Sequence, residues 1–66
     1  MELEHERLLD RAAAAAYLQQ RPETLRGWAW KGRGPRYLKV GRKTLYRASD
    51  LERWLDEQST DPTARR

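Results

Sequence analysis

The stretch that decides the fold is residues 22–55, PETLRGWAWKGRGPRYLKVGRKTLYRASDLERWL. Pro22 suits a first helical position, where its missing N–H would have no partner anyway. From there to about Lys31, a period of 3.6 puts Leu25, Trp28 and Ala29 on one face and Glu23, Arg26, Gly27, Trp30 and Lys31 mostly on the other. Gly32 suits a left-handed helix end, and Gly34-Pro35 enforces a break. Residues 37–40 and 44–47 then read as two strands around Gly41-Arg42-Lys43. A three-residue loop pairs Val40 with Thr44 and Leu38 with Tyr46, gathering these four on one face, and is the register the pattern predicts. Ser49-Asp50-Leu51-Glu52 has the form of a capping box, with Ser49 as cap, and it opens a helix to about Gln58 with Leu51, Trp54 and Leu55 as the buried stripe.

Outward from this stretch, Asp10 is placed to cap an alanine-rich helix over residues 11–18. Its stripe is Ala14, Tyr17 and Leu18, and Leu8 and Leu9 before it supply an apolar pair for the core. Residues 19–21 make a short turn. Residues 1–7 (MELEHER) read as a flexible acidic leader, 8–58 as the folded domain, and 59–66, with Pro62 and no periodicity, as a disordered tail.

The chain of 66 residues carries a formal charge of +4, and that charge is segregated. Residues 21–47 hold nine Lys and Arg against Glu23 alone, a balance of +8; the remainder is −4. A basic block between acidic flanks is an electrostatic footprint for a polyanion. Cysteine is absent, which excludes a disulfide framework and thiolate metal ligands, so no metal and no cofactor is expected. The one histidine, His5, lies in the acidic leader without an orienting partner and reads as a bystander. Nothing suggests a nucleophile–base pair, and an enzyme is not expected. Neither a membrane span nor a signal peptide is visible, so the expected compartment is the cytoplasm.

Two short helices joined by a tight turn, the second with a basic outer face, are the parts of a helix-turn-helix, here followed by a basic hairpin wing. The reading is a small α+β domain, a winged helix-turn-helix of three short helices and a two-stranded hairpin between the second and third. Arg26 is the best placed for reading a guanine edge, and Thr24 for a thymine methyl or a phosphate. Glu23 is suited to capping or to a cytosine amine. Gly27, in the middle of the outer face, would let the helix sit deep in a groove. Trp30 points outward by spacing; it is expected to pack under the Gly34-Pro35 turn, the alternative being the sugar-phosphate backbone. Lys31, Arg33, Arg36, Lys39, Arg42, Lys43 and Arg47 are phosphate candidates, and Arg65 and Arg66 weaker ones.

LLDRAAAAAYL, PETLRGW and GRGPRYLKVGRKTLYRASDLERWL together resemble the excisionase and AlpA-type helix-turn-helix proteins, relatives of the MerR DNA-binding domain. The resemblance spans residues 8–55. It implies a winged fold with the second helix in the major groove of double-stranded DNA and the wing on the adjacent backbone or minor groove. It also implies a phage or mobile-element excisionase, a recombination directionality factor, or alternatively a small transcriptional regulator. Implied partners are DNA, an integrase or recombinase, and further copies binding cooperatively. The family usually offers Ser or Thr before the second helix, and this chain has Arg21, which cannot cap; a DNA phosphate held by Arg21 and the free N–H groups would resolve the mismatch. A protein-interaction module without DNA binding is the alternative of another class, and the basic block argues against it. Single-stranded RNA readers need an aromatic pair on an open sheet face, which the strands do not suggest.

Overall fold

The computed structural model describes residues 7–60, so most of the expected leader and tail, with His5, Arg65 and Arg66, lies outside the described residues. The elements are β1 (Leu8–Asp10), α1 (Arg11–Leu18), α2 (Pro22–Trp30), β2 (Leu38–Val40), β3 (Lys43–Arg47) and α3 (Ala48–Gln58). Three helices and one antiparallel sheet make a small α+β domain. The sheet has three strands in the order β1-β3-β2, so the hairpin does not stand alone. Leu8 and Leu9, expected only to pack, form the added strand, with Leu8 opposite Arg47, Leu9 opposite Tyr46 and Asp10 opposite Leu45. Strand alternation explains their unequal fates. Leu9 packs on the core beside Tyr46, while Leu8 stays half exposed.

Asp10 ends β1 and starts α1 as expected, its carboxylate accepting the Ala13 N–H at 2.8 Å. Helix α1 buries Ala14, Ala15 and Leu18. Tyr17, expected in this stripe, is instead 47% exposed. Leu18 falls between Ala14 and Ala15 around the helix axis, and Tyr17 lies outside that arc, about 60° beyond Ala14. The tight turn closes on Gln19, at φ 59°, with Gln20 N–H donating to Ala15 O at 2.8 Å and Gln19 N–H to Ala16 O at 3.1 Å. This pair of bonds is the Schellman closure, here without the glycine that usually permits it.

Helix α2 buries Leu25 and ends at Trp30, one residue before the expected end, with Lys31 as its cap. Gly32 and Arg33 complete a second Schellman closure, donating to Ala29 O at 3.1 Å and Trp28 O at 2.8 Å. The Gly34-Pro35 turn then folds back on α2, but onto Trp28. Gly34 has φ 88°, and a Cβ there would lie 2.9 Å from the Trp28 Cβ. Trp28 in turn meets Trp54 of α3, ring centroids 5.2 Å apart and tilted 41°. Trp30, expected beneath this turn, is 88% exposed. The turn has one tryptophan to cover, and helical spacing presents Trp28.

The hairpin register differs from the expected one. Leu38 pairs with Leu45, Lys39 with Thr44 and Val40 with Lys43, which leaves a two-residue loop, Gly41-Arg42. Gly41 has φ 63° and Arg42 does not share that sign, the type II′ pattern with glycine first. The turn therefore overrides the apolar alternation. Tyr46 faces the core with Thr44 and Lys39 on its side of the sheet, while Leu38, Val40 and Leu45 share the other side. Tyr37 lies beside Tyr46 at 6.0 Å between ring centroids.

Strand β3 runs directly into α3. The helix begins at Ala48 with Arg47 at the cap position and no side-chain cap bond from it, so Ser49, expected as the cap, stands inside the first turn. The Ala48 N–H donates instead to Arg7 O at 2.9 Å, so backbone next to β1 takes over the work of a capping side chain. Leu51 is fully buried, Trp54 half-buried, and Leu55, expected in the stripe, is 38% exposed. The core is Ala14, Ala15, Leu18, Leu25, Tyr46 and Leu51, with Leu9, Trp28 and Trp54 packed around it.

Candidate nucleic-acid interface

The face of α2 turned from the core follows from its wheel. With Leu25 buried, Glu23, Arg26 and Trp30 are exposed, Gly27 lies nearly opposite Leu25 on the same outward face, partly shielded by its neighbours, and Thr24 sits half-buried at the margin. A Cβ placed at Gly27 would find nothing within 4 Å, so that part of the helix surface is bare backbone. Arg21 occupies the cap position in an extended conformation without a side-chain cap, and Glu23 in the first turn offsets the positive helix end. Lys31 and Arg33 leave the C-terminal end exposed. Arg21, Glu23, Thr24, Arg26, Gly27 and Lys31 are thus brought together on one short helix and its two ends.

The wing carries its charge at the tip. Arg42 is the second loop residue, Lys39 shares a sheet face with Thr44, and Lys43 shares the opposite face with Val40. All three are exposed, so the tip presents a cation on each face and one at its end. Arg21, Arg26, Lys31, Arg33, Lys39, Arg42 and Lys43 make no ion pair or side-chain hydrogen bond among the described residues. These positive groups do no internal work.

Two expected phosphate contacts stand apart. Arg47 is at the opposite end of β3 from the tip, with its Nη1 3.8 Å from the Asp50 carboxylate. Arg36 lines a groove with Gly34, Pro35, Asp50, Arg53, Trp54 and Glu57, so it sits beside α3 rather than on the exposed face of α2, and it forms no ion pair among the described residues. Trp30, not among the expected contacts of the reading helix, is central on that helix's exposed face. Its outward position was readable from the spacing.

Residues 8–59 match the model of the helix-turn-helix domain family, and the chain belongs to that family of DNA-binding, typically non-catalytic domains. No curated protein and no solved structure matches it. Among the described residues, no helix is long and apolar enough to cross a membrane, and no group of three His, Cys, Asp or Glu is placed to hold a metal.

Proposed function

We propose that this protein is a sequence-reading, double-stranded-DNA-binding factor of the excisionase (recombination directionality factor) type. In this reading α2 lies in the major groove and the wing tip lies on the adjacent backbone or minor groove. The observation that carries it is the set of exposed cations without internal partners on α2, its C-terminal turn and the wing tip. The excisionase assignment rests on the resemblance of residues 8–55.

Each residue then has a role. Arg26 grips a guanine edge with two hydrogen bonds, worth about 1–3 kcal/mol of discrimination. Thr24 contacts a phosphate or thymine methyl at the margin, and Glu23 supports the helix end or accepts from a cytosine amine. Arg21 holds a phosphate over the uncapped N-terminus of α2. Lys31, Arg33, Lys39, Arg42 and Lys43 neutralise phosphates and set the register, with Arg36 and Arg47 lesser contributors. Copies bind neighbouring sites cooperatively and meet an integrase there, in the nucleoid of a bacterial or phage-infected cytoplasm.

The test is selection of binding sites from a random duplex library at near-physiological salt, repeated with Arg26→Ala. An enriched motif that loses one position in the variant is the expected result, and tandem copies of the motif are expected of an excisionase. A single isolated site favours the regulator role. No duplex binding would sink the reading.

A further inference from the structure

We infer that Trp30, beside the bare backbone at Gly27, is an apolar reading surface that contacts the C5-methyl group of a thymine in the major groove. The inference rests on α2 being the groove-inserted element. Trp30 is 88% exposed, more than any other large apolar side chain described. It follows Arg26 by one turn and Gly27 by three residues, so all three face outward together. Gly27 has no internal reason to lack a side chain, since a Cβ there would meet nothing within 4 Å. A partner that approaches the helix closely at this point supplies the reason.

The chemistry of the surroundings selects the partner. Arg26, Lys31 and Arg33 are exposed on α2 and the turn that follows it, and none has an anionic partner among the described residues. A polyanion satisfies these cations. In the major groove the one apolar group a base offers is the thymine methyl. Stripping backbone of its side chain at Gly27 brings the helix near enough for the flat ring to lie on that methyl. Arg26 then reads a guanine and Trp30 reads a thymine one helical turn further along the same helix.

The experiment uses the duplex selected by the wild-type protein. Each thymine in turn is replaced by deoxyuridine, which removes the methyl and keeps the hydrogen-bonding edge. Wild type is expected to lose about fourfold in affinity at one position, the value of a buried methyl-sized group. Trp30→Ala is expected to bind the unmodified site about tenfold more weakly or worse, and to be indifferent to deoxyuridine at that position. Trp30→Phe is expected to restore part of the methyl dependence. The ring makes no packing contact with the core, so equal melting temperatures will show that the variants fold. Acrylamide quenching of tryptophan emission is expected to fall when the duplex binds. A deoxyuridine scan with no sensitive position in wild type overturns the inference while leaving the DNA-binding reading intact. So does a Trp30→Ala protein with unchanged site and affinity, or one that changes only self-association. Absence of any duplex binding by wild type overturns both.

Discussion

Gly27, Gly34 and Gln19 show how differently a backbone position can be constrained. Gly27 is helical with open space where a Cβ would stand, so its own fold would accept alanine. Gly27→Ala is therefore expected to raise stability by about 1 kcal/mol, visible as a rise in melting temperature of about 4–8 °C, and at the same time to weaken duplex binding. Circular-dichroism melts and fluorescence anisotropy on labelled duplex measure the two effects. Stabilisation with unchanged affinity would mean the glycine is surface drift. Gly34 is the opposite case, since φ 88° and a Cβ 2.9 Å from Trp28 both forbid a side chain. Gly34→Ala should lose about 2 kcal/mol or more, a large share for so small a core. Gln19 holds φ 59° at a turn without being glycine. Gln19→Gly should stabilise by about 1 kcal/mol, as read from the urea midpoint at unchanged m-value. At this scale Asp10 and Gly32 were legible because each rests on local chemistry; the spacing of Trp30 points outward, but the packing expected for it under the Gly34-Pro35 turn is not formed. Tyr17 and Leu55 were not legible, since which edge of a helix is covered depends on the elements packed against it.

The hairpin and β1 mark the limit of pattern reading at the scale of elements. Residues 38–46 have apolar side chains on both sheet faces, Leu45 beside Tyr46, so alternation admits two registers. The turn residue decides, and Gly41 at the first loop position favours two residues over three. Strand β1 has three residues, too few to show a period, and only its partner strand reveals it. The cap position expected at Ser49 falls earlier, at Arg47, because β3 runs straight into α3 and backbone beside β1 satisfies the Ala48 N–H. The corrected register has a functional consequence: it puts Lys39 and Lys43 on opposite faces of the tip, with Arg42 at the end. Arg42→Ala and Lys43→Ala should each lower the salt slope of duplex binding by about 1 and leave the selected motif unchanged. Arg26→Ala should change the motif. Arg47→Ala should leave the slope nearly untouched, because Arg47 faces Asp50 at 3.8 Å, away from the tip. Binding isotherms at four or five salt concentrations separate these cases. A slope that falls as much for Arg47→Ala as for Arg42→Ala would displace the contact from the tip.

At the scale of the whole molecule, a small core and a segregated charge are two sides of one energy balance. Among the described residues, a core cluster of six buried side chains, two of them alanine, stabilises the domain modestly. The +8 block of residues 21–47 repels itself, with few internal carboxylates to relieve it. Salt should therefore stabilise the free protein slightly by screening that repulsion. Bound to duplex, the sign reverses. Arg21, Lys31, Arg33, Lys39, Arg42 and Lys43 are exposed and unpaired among the described residues. If all six neutralise phosphates, the logarithmic salt slope is about −5, or about a thousandfold loss of affinity between 50 and 200 mM salt. Duplex at a thousand times its dissociation constant at the lower salt adds about 4 kcal/mol to the folded state. The same duplex concentration at the higher salt is near the dissociation constant and adds well under 1 kcal/mol. Melting curves with and without duplex at the two salts should thus move in opposite directions, the free protein up and the complex down. Parallel movement of both curves would show that the basic block is not what holds the nucleic acid.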